Sequence, residues 1–251
     1  KHVLVEKPMT MSLEQGVELM SLAEENDRIL MVGNTFMYNR AVRELRSLVD
    51  KGEIGLLRHI RSCMTDSVDM WARKIVSNYV DVLWDLGPHP ISIALFLVNQ
   101  EPSTISVTCA PPLLGKASRQ PPYDVAVMNL HFPSGLSAVI YLNWFNYSKD
   151  RRITLFGDEG VLSCEDPSSR GSTRIHLERL SLESTTVKSL NTRVWKVDTS
   201  DTLERECSHF LRCVRERLTP LTGGKEGLAV VRVLEAGHRS MMKGGRVGRV
   251  V

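Results

Sequence analysis

Lys7, Asp85 and His89 are the residues whose surroundings suit chemistry. Lys7 stands directly after the apolar run Val3 to Val5 and before Pro8, a residue that cannot continue a central strand. In open parallel sheets, ligands bind outside the carboxyl ends of the strands. A lysine at that edge can set positive charge against a cofactor or a developing alkoxide; the plainer reading is a solvated lysine in a surface turn. Asp85 and His89 lie four apart and would share a face of a continuous helix. Pro88 and Pro90 fit best in a helix's first turn, so either the helix is kinked here or its regular part begins near Leu86 or Gly87. In the second case His89 sits at a helix N-terminus, where the dipole disfavours imidazolium and keeps the neutral ring that a general base needs. Asp85 opposes that shift; it can orient the ring and stabilise the imidazolium once a proton arrives. The plainer reading of this pair is a structural Asp–His cap, although the breakpoint Trp84-Asp85-Leu86-Gly87-Pro88-His89 is less ordinary than a bare D-x-x-x-H.

Particular elements must position these residues. Val3 to Val5 reads as a buried strand, followed by a helix that Ser12 and Gln15 open as a capping box, with Leu13, Val17 and Met20 as its core stripe. Ile29 to Val32, closed by Gly33, is a second continuous apolar strand, so strand, helix, strand forms one βαβ unit. An amphipathic helix spans Ala41 to Lys51, with Val42, Leu45, Leu48 and Val49 inward and Gly52 as its stop. Ile54 to Ser62 begins a different sheet, and residues 63 to 80 read as polar and irregular around Trp71. From Ser103 onward short alternating runs, separated by Pro133-Ser134-Gly135 and Gly157-Asp158-Glu159-Gly160, predict an antiparallel meander with one wet face. Thr173 to Leu180 and Thr185 to Leu190 can add strands, and helices at about 202–217 and 226–243 close the chain. The fold class is thus a remnant of a parallel α/β sheet, over residues 1–40, followed by an α+β domain with a large open, mainly antiparallel sheet over 41–251; the closing helices can pack back on the first part.

Composition bounds the function. The 251 residues are 42% hydrophobic and 24% charged, ordinary for a globular chain with a substantial core. A net charge of +3, from 32 basic and 29 acidic residues, is too balanced to argue for nucleic acid or an anionic membrane. No run approaches the roughly 18 apolar residues of a membrane helix, and five scattered cysteines without C-x-x-C suit reduced thiols. The expected compartment is therefore the cytoplasm. The histidines lack partners at zinc-ligand spacing, so no metal is expected. Gly223-Gly224-Lys225 and Gly244-Gly245-Arg246 lack P-loop or dinucleotide spacing and read as loop and tail, and Trp144 and Trp195 read as core or sheet-face residues. The chain starts at Lys1, without an initiator methionine and almost inside a strand, which reads as a truncation.

Six segments, in order, resemble the Gfo/Idh/MocA oxidoreductases: KHVLVEKPM at 1–9, VGNTFMYN at 32–39, KGEIGLLRHI at 51–60, WDLGPHPISI at 84–93, ITLFGDEGVLSCED at 153–166, and the stretch containing Pro220 to Gly224 and Val233 to Ala236. The resemblance implies a Rossmann domain holding NAD or NADP and an open-sheet domain that forms the interface of a homodimer or homotetramer. It implies hydride transfer at a hydroxyl carbon of a sugar, cyclitol or nucleotide sugar. On matching positions Lys7 contacts substrate and nicotinamide ribose, His89 takes the hydroxyl proton and Asp85 assists it. Glu6 and Pro8, with a cis Lys7–Pro8 bond, shape the cofactor edge together with Asn34, while Tyr38 and Trp71 border the substrate. The family's G-x-G-x-x-G lies upstream of E-K-P and is not in this sequence, and Arg40 stands where the family often has proline. A non-catalytic ligand-sensing or partner-binding member is the alternative.

Overall fold

The computed structural model describes residues 1–67, 81–110, 123–169, 171–183 and 186–251. It contains two sheets. In the first, β1 (Val3–Glu6) and β2 (Leu30–Gly33) pair in parallel, Val3 opposite Leu30 and Glu6 opposite Gly33, with α1 (Leu13–Glu25) as the crossover. All four residues of β2 are buried, as its continuous apolar run requires. β1 is covered on only part of its surface, and Val3 remains 44% exposed.

Ser12 caps α1 by accepting from the Gln15 amide at 3.2 Å, but the Gln15 side chain reaches back to the Met11 amide rather than to Ser12. The inward face of α1 also differs from the expected stripe. Val17 is 48% exposed, and the one fully buried residue is Gly16. A Cβ at Gly16 would stand 2.6 Å from Leu228. The helix therefore meets α6 through Gly16 as well as through Met20, which packs beside Gly224, and hydrophobic periodicity cannot report a contact made by glycine.

A 3₁₀ turn (Thr35–Tyr38) leads to α2 (Arg40–Asp50), capped by Asn39, whose Oδ1 accepts from Ala41 and Val42. Val42 and Leu45 are fully buried, and Gly52 at φ +70 closes the helix. The second sheet follows. β3 (Leu57–Ser67) starts later and runs longer than expected, so residues 63–67 are strand. Then come α3 (Val82–Leu86), α4 (Pro88–Val98), β4 (Thr104–Ala110), β5 (Val125–His131), β6 (Ser137–Asn146), β7 (Arg151–Gly157), β8 (Gly160–Cys164), β9 (Ser172–Glu183) and β10 (Thr186–Asp198). Helices α5 (Thr202–Glu216) and α6 (Gly224–Met242) and a short β11 (Gly248–Arg249) end the chain.

The strand order is β10-β9-β8-β7-β3-β6-β5-β4-β11. All pairs are antiparallel except β3 with β6, which is parallel, so the sheet is mixed. Its helix-covered face carries Ile60, Met64, Met128, Ile140 and Leu142, which are at most 2% exposed. Helix α6 spans both sheets. Gly227 in its first half lies against Val32 and Met9, and Gly237 in its second half lies against Ile105 and Val107. Among the described residues no helix is long and apolar enough to cross a membrane.

Candidate functional site

The junction between α3 and α4 sets the site. Asp81 caps α3 by accepting from Leu83 and Trp84 at 3.0 and 3.1 Å. Gly87 then joins the two helices, with Pro88 at the first position of α4. His89 is consequently the second residue of α4. Its Nδ1 is buried, and its ring meets Phe36 edge to face with centroids 5.1 Å apart. Gly87 is itself helical in φ and ψ, its amide donates to Leu83 O at 3.0 Å and its carbonyl accepts from Ile91 at 3.1 Å, so the helical path runs on from Asp85 to His89 through the two prolines.

Lys7 reaches this junction from the other sheet. Its Nζ donates to the main-chain oxygen of Asp85 at 2.7 Å and stands 3.8 Å from the Asp85 carboxylate. The other carboxylate oxygen accepts from Trp144 Nε1 at 2.9 Å. Lysine at the carboxyl end of β1, aspartate at the end of α3 and indole from β6 thus form one connected group, and the Lys7–Pro8 bond is cis. Trp144 is 1% exposed. It fills the core as expected, but its hydrogen bond to Asp85 was not foreseeable, because no local signal in the sequence joins residues 59 apart.

Glu6 is exposed at the C-terminal end of β1, beside Gly33. Tyr38 is 4% exposed, bonds to Thr222 Oγ1 at 3.1 Å and packs on the His209 ring. Burial pushes its hydroxyl pKa up to about 12. It fastens the turn before α6 to β2, as Thr222 Oγ1 in turn donates to Val32 O. Asn34, 3% exposed, lines a cavity that has none of Lys7, Asp85 or His89 in its wall. Trp71 lies outside the described residues.

A carboxyl that the sequence did not single out stands behind this edge. Glu206 of α5 is 2% exposed and accepts from Thr35 Oγ1 at 2.8 Å. Burial raises its pKa above the ordinary 4.5; the Thr35 bond opposes that, and the Glu6 charge adds to it. Above pH 4.5 the folded state holds this proton longer than the unfolded chain does, so stability falls as pH rises through the window between the two pKa values. Glu206→Gln keeps an acceptor for Thr35 and has no proton to lose. We expect it to unfold at a higher temperature than the parent at pH 8, with the gap closing at pH 4. A parent that gains on the variant with rising pH would contradict this.

A parallel βαβ edge that delivers a lysine onto the Asp85–His89 segment of an open-sheet domain is a two-part α/β plus α+β arrangement. Residues 1–34 match the model described as oxidoreductase family, NAD-binding Rossmann fold, and residues 42–163 match the GFO/IDH/MocA C-terminal domain. The chain belongs to the Gfo/Idh/MocA family.

Relatives include the NADP-dependent D-xylose 1-dehydrogenase of Haloarcula marismortui, 25% identical over 243 residues, covering 94% of this chain and 64% of the relative. The inositol 2-dehydrogenase of Rhizobium meliloti is 22% identical, with 96% and 71% covered. This chain therefore spans about two thirds of the length of these curated relatives. Among solved structures, the aldose–aldose oxidoreductase of Caulobacter crescentus superposes with a TM-score of 0.79 at 20% identity, covering 99% of this chain and 72% of that one. A 3-ketoreductase from Actinomadura kijaniata in complex with NADP gives 0.79 at 18% identity, covering 96% and 70%.

Proposed function

We propose that the protein takes part in NAD- or NADP-dependent oxidation of a hydroxyl carbon in a sugar, cyclitol or nucleotide sugar, or the reverse reduction. The observation that carries this reading is the Lys7–Asp85–Trp144 group, whose aspartate lies four residues before His89 on the same helical path. The relatives' activities, a xylose dehydrogenase and an inositol dehydrogenase, point the same way.

The residues at the strand edge fit the cofactor chemically. Glu6, exposed at the end of β1, can accept from a ribose hydroxyl, and Lys7 and Pro8 border the same edge. The chemistry that NAD(P) supplies when bound is acceptance of hydride from the hydroxyl-bearing carbon. The chain's own part is proton transfer and charge control. His89, with Nδ1 buried, takes the hydroxyl proton at Nε2 as the carbonyl forms. Lys7 holds positive charge toward the substrate oxygen, where alkoxide character develops. Asp85 fixes Lys7 and supplies the negative charge that favours His89 once protonated, and Trp144 positions Asp85. A homodimer or homotetramer through the open face of the large sheet belongs to the same reading. Leu190 and Val194 on β10, 64% and 52% exposed, support it.

The test is NAD(P)H-linked turnover by the full gene product over panels of aldoses, inositols and nucleotide sugars. His89→Ala is expected to lower kcat by about 100-fold or more while cofactor binding persists. Absence of both cofactor binding and turnover with every substrate would refute the enzyme reading.

A further inference from the structure

A cavity of about 490 Å³ lies between α2 and α5, and none of Lys7, Asp85 and His89 lines it. Its wall is basic. Arg43 comes from α2, and Arg205 and Arg212 come from α5. Ser208, His209, Leu221 and Tyr38 complete the wall, and among the described residues no carboxylate lines it. Arg43 is exposed and makes no hydrogen bond or ion pair among the described residues. Arg205 does pair through Nε with Asp201, at 2.8 Å, but the same carboxylate oxygen also holds Arg40 at 2.6 Å. One carboxylate thus serves two guanidinium groups, and positive charge is in excess around the cavity.

The His209 ring shows what the cavity lacks. The Leu221 amide donates to Nε2 at 3.1 Å, so Nε2 presents its lone pair and the ring hydrogen lies on Nδ1. Cys213 Sγ stands 3.4 Å from the same Nε2. An imidazolium would set a second hydrogen against the Leu221 amide, so this arrangement requires the neutral ring. Burial, and then the charges of Arg212 and Arg43, hold the His209 pKa below its ordinary 6.5, which agrees. Nδ1–H therefore faces Arg212 Nη2 at 3.4 Å, and a guanidinium can only donate. Two donors meet here with no acceptor between them. A single oxygen placed beside both would accept from both.

We propose that this cavity binds a phosphate group, as inorganic phosphate or on a small monoester, with one oxygen accepting from His209 Nδ1 and Arg212 and the others facing Arg43, Arg205 and Ser208. Everything polar that the cavity offers at this place is a donor or a cation, so the ligand must bring acceptors and negative charge. A guanidinium fork matches phosphate oxygens two at a time. A monoester phosphate carries about −1.5 to −2 at pH 7, against a single charge and two oxygens for a carboxylate. The volume leaves room for a small organic group beside the phosphate. No ion pair has to break, because Arg43 and Arg212 have no carboxylate partner to leave. The site is independent of the reaction assigned to Lys7, Asp85 and His89.

The probes are inorganic phosphate, glycerol phosphate and acetate, titrated at constant ionic strength in phosphate-free buffer. The His209 ring reports occupancy by ¹H–¹³C NMR, and the Met128 methyl, fully buried in the large sheet, reports that the fold is intact. Phosphate is expected to shift His209 in a saturable titration that leaves Met128 unmoved, and acetate should bind about tenfold more weakly or worse. Arg43→Gln and Arg212→Gln should each weaken phosphate by about tenfold, the loss expected for one hydrogen bond to a charged group. Ser208→Asp, which sets a carboxylate into the wall, should abolish the titration. Tighter binding of glycerol phosphate than of phosphate would identify a monoester as the ligand, and equal or weaker binding would identify inorganic phosphate. No saturable His209 shift, acetate binding as tightly as phosphate, or an undiminished titration in folded Ser208→Asp would each overturn the proposal. The two arginine variants keep the test decisive even where Ser208→Asp fails to fold.

Discussion

Replacing Lys7 with methionine is expected to lower kcat/KM of the full gene product by about 100- to 1,000-fold, the effect of removing one donor from a site of developing negative charge. The geometry explains why so much rests on one side chain. The ammonium is 17% exposed and is fixed by the Asp85 carbonyl at 2.7 Å. It needs little reorganisation when charge appears on the substrate oxygen. Methionine matches its length without charge or donors, and it removes one partner of the Asp85 carboxylate, which is 24% exposed. The loss should fall mainly on kcat if Lys7 acts on the developing alkoxide, and mainly on KM if it only holds the substrate. Lys7→Arg should not restore activity, because a planar guanidinium cannot occupy the place of a compact ammonium that bonds one carbonyl. Steady-state kinetics of the three proteins make the comparison. Lys7→Met within threefold of the parent would remove Lys7 from the reaction.

Gly157→Ala is expected to be the most damaging single methyl in the protein. The G-x-x-G hairpin between β7 and β8 looks like an ordinary turn that uses glycine for its flexibility. The structure gives a different reason. A Cβ on Gly157 would be driven far inside contact with the carbonyl oxygen of Ile54, and one on Gly160 would stand 2.5 Å from the Glu178 carbonyl. These neighbours are backbone. The Ile54 carbonyl is also held by the Glu159 amide at 3.0 Å, so it cannot swing aside. Restricting the unfolded chain by replacing glycine with alanine would normally stabilise by about 0.4–1 kcal/mol. Overpacking against a fixed group costs about 1–3 kcal/mol and occasionally more, so the clash decides the sign. For a protein of this size that corresponds to a melting temperature lower by about 2–12 °C. Gly135→Ala is the contrast. Its φ is +84 but nothing lies within 4 Å of the added methyl, so only backbone strain of about 1–2 kcal/mol applies. Thermal unfolding of both variants separates the two causes. A Gly157 variant as stable as the parent would show that the Ile54 loop can yield.

The sequence was most legible where one element explains itself. The parallel β1–β2 pair, the α2 stripe with its Gly52 stop and the alternating strands of the large sheet follow from local periodicity and turn residues. The helix junction at Gly87-Pro88 was legible for the same reason, because proline's place in a first turn is a local rule. What escaped is what depends on a distant partner. Gly16 faces inward only because Leu228 approaches it. Trp144 reaches Asp85 only because β6 runs beneath α3. The buried state of Glu206 depends on Thr35, 171 residues earlier. Tyr38 could equally have faced a pocket or a core. Its partners, Thr222 and His209, come from the far end of the chain.

The place of β3 has a consequence for the order in which the protein can fold. It is the middle strand of nine, yet both of its neighbours come much later in the chain. His59 meets Ser137, 78 residues on, and Ile60 meets Leu155. The hairpins β4–β5–β6 and β7–β8–β9–β10 can each form from adjacent strands, but they are joined into one sheet only through β3. Pairings across such separations form late and slowly, because the loop must close before any contact repays it. The expected sequence of events is two hairpin halves first, with β3 inserted between them as the last step of sheet assembly. Until then each half exposes an open edge to any other chain that presents a strand.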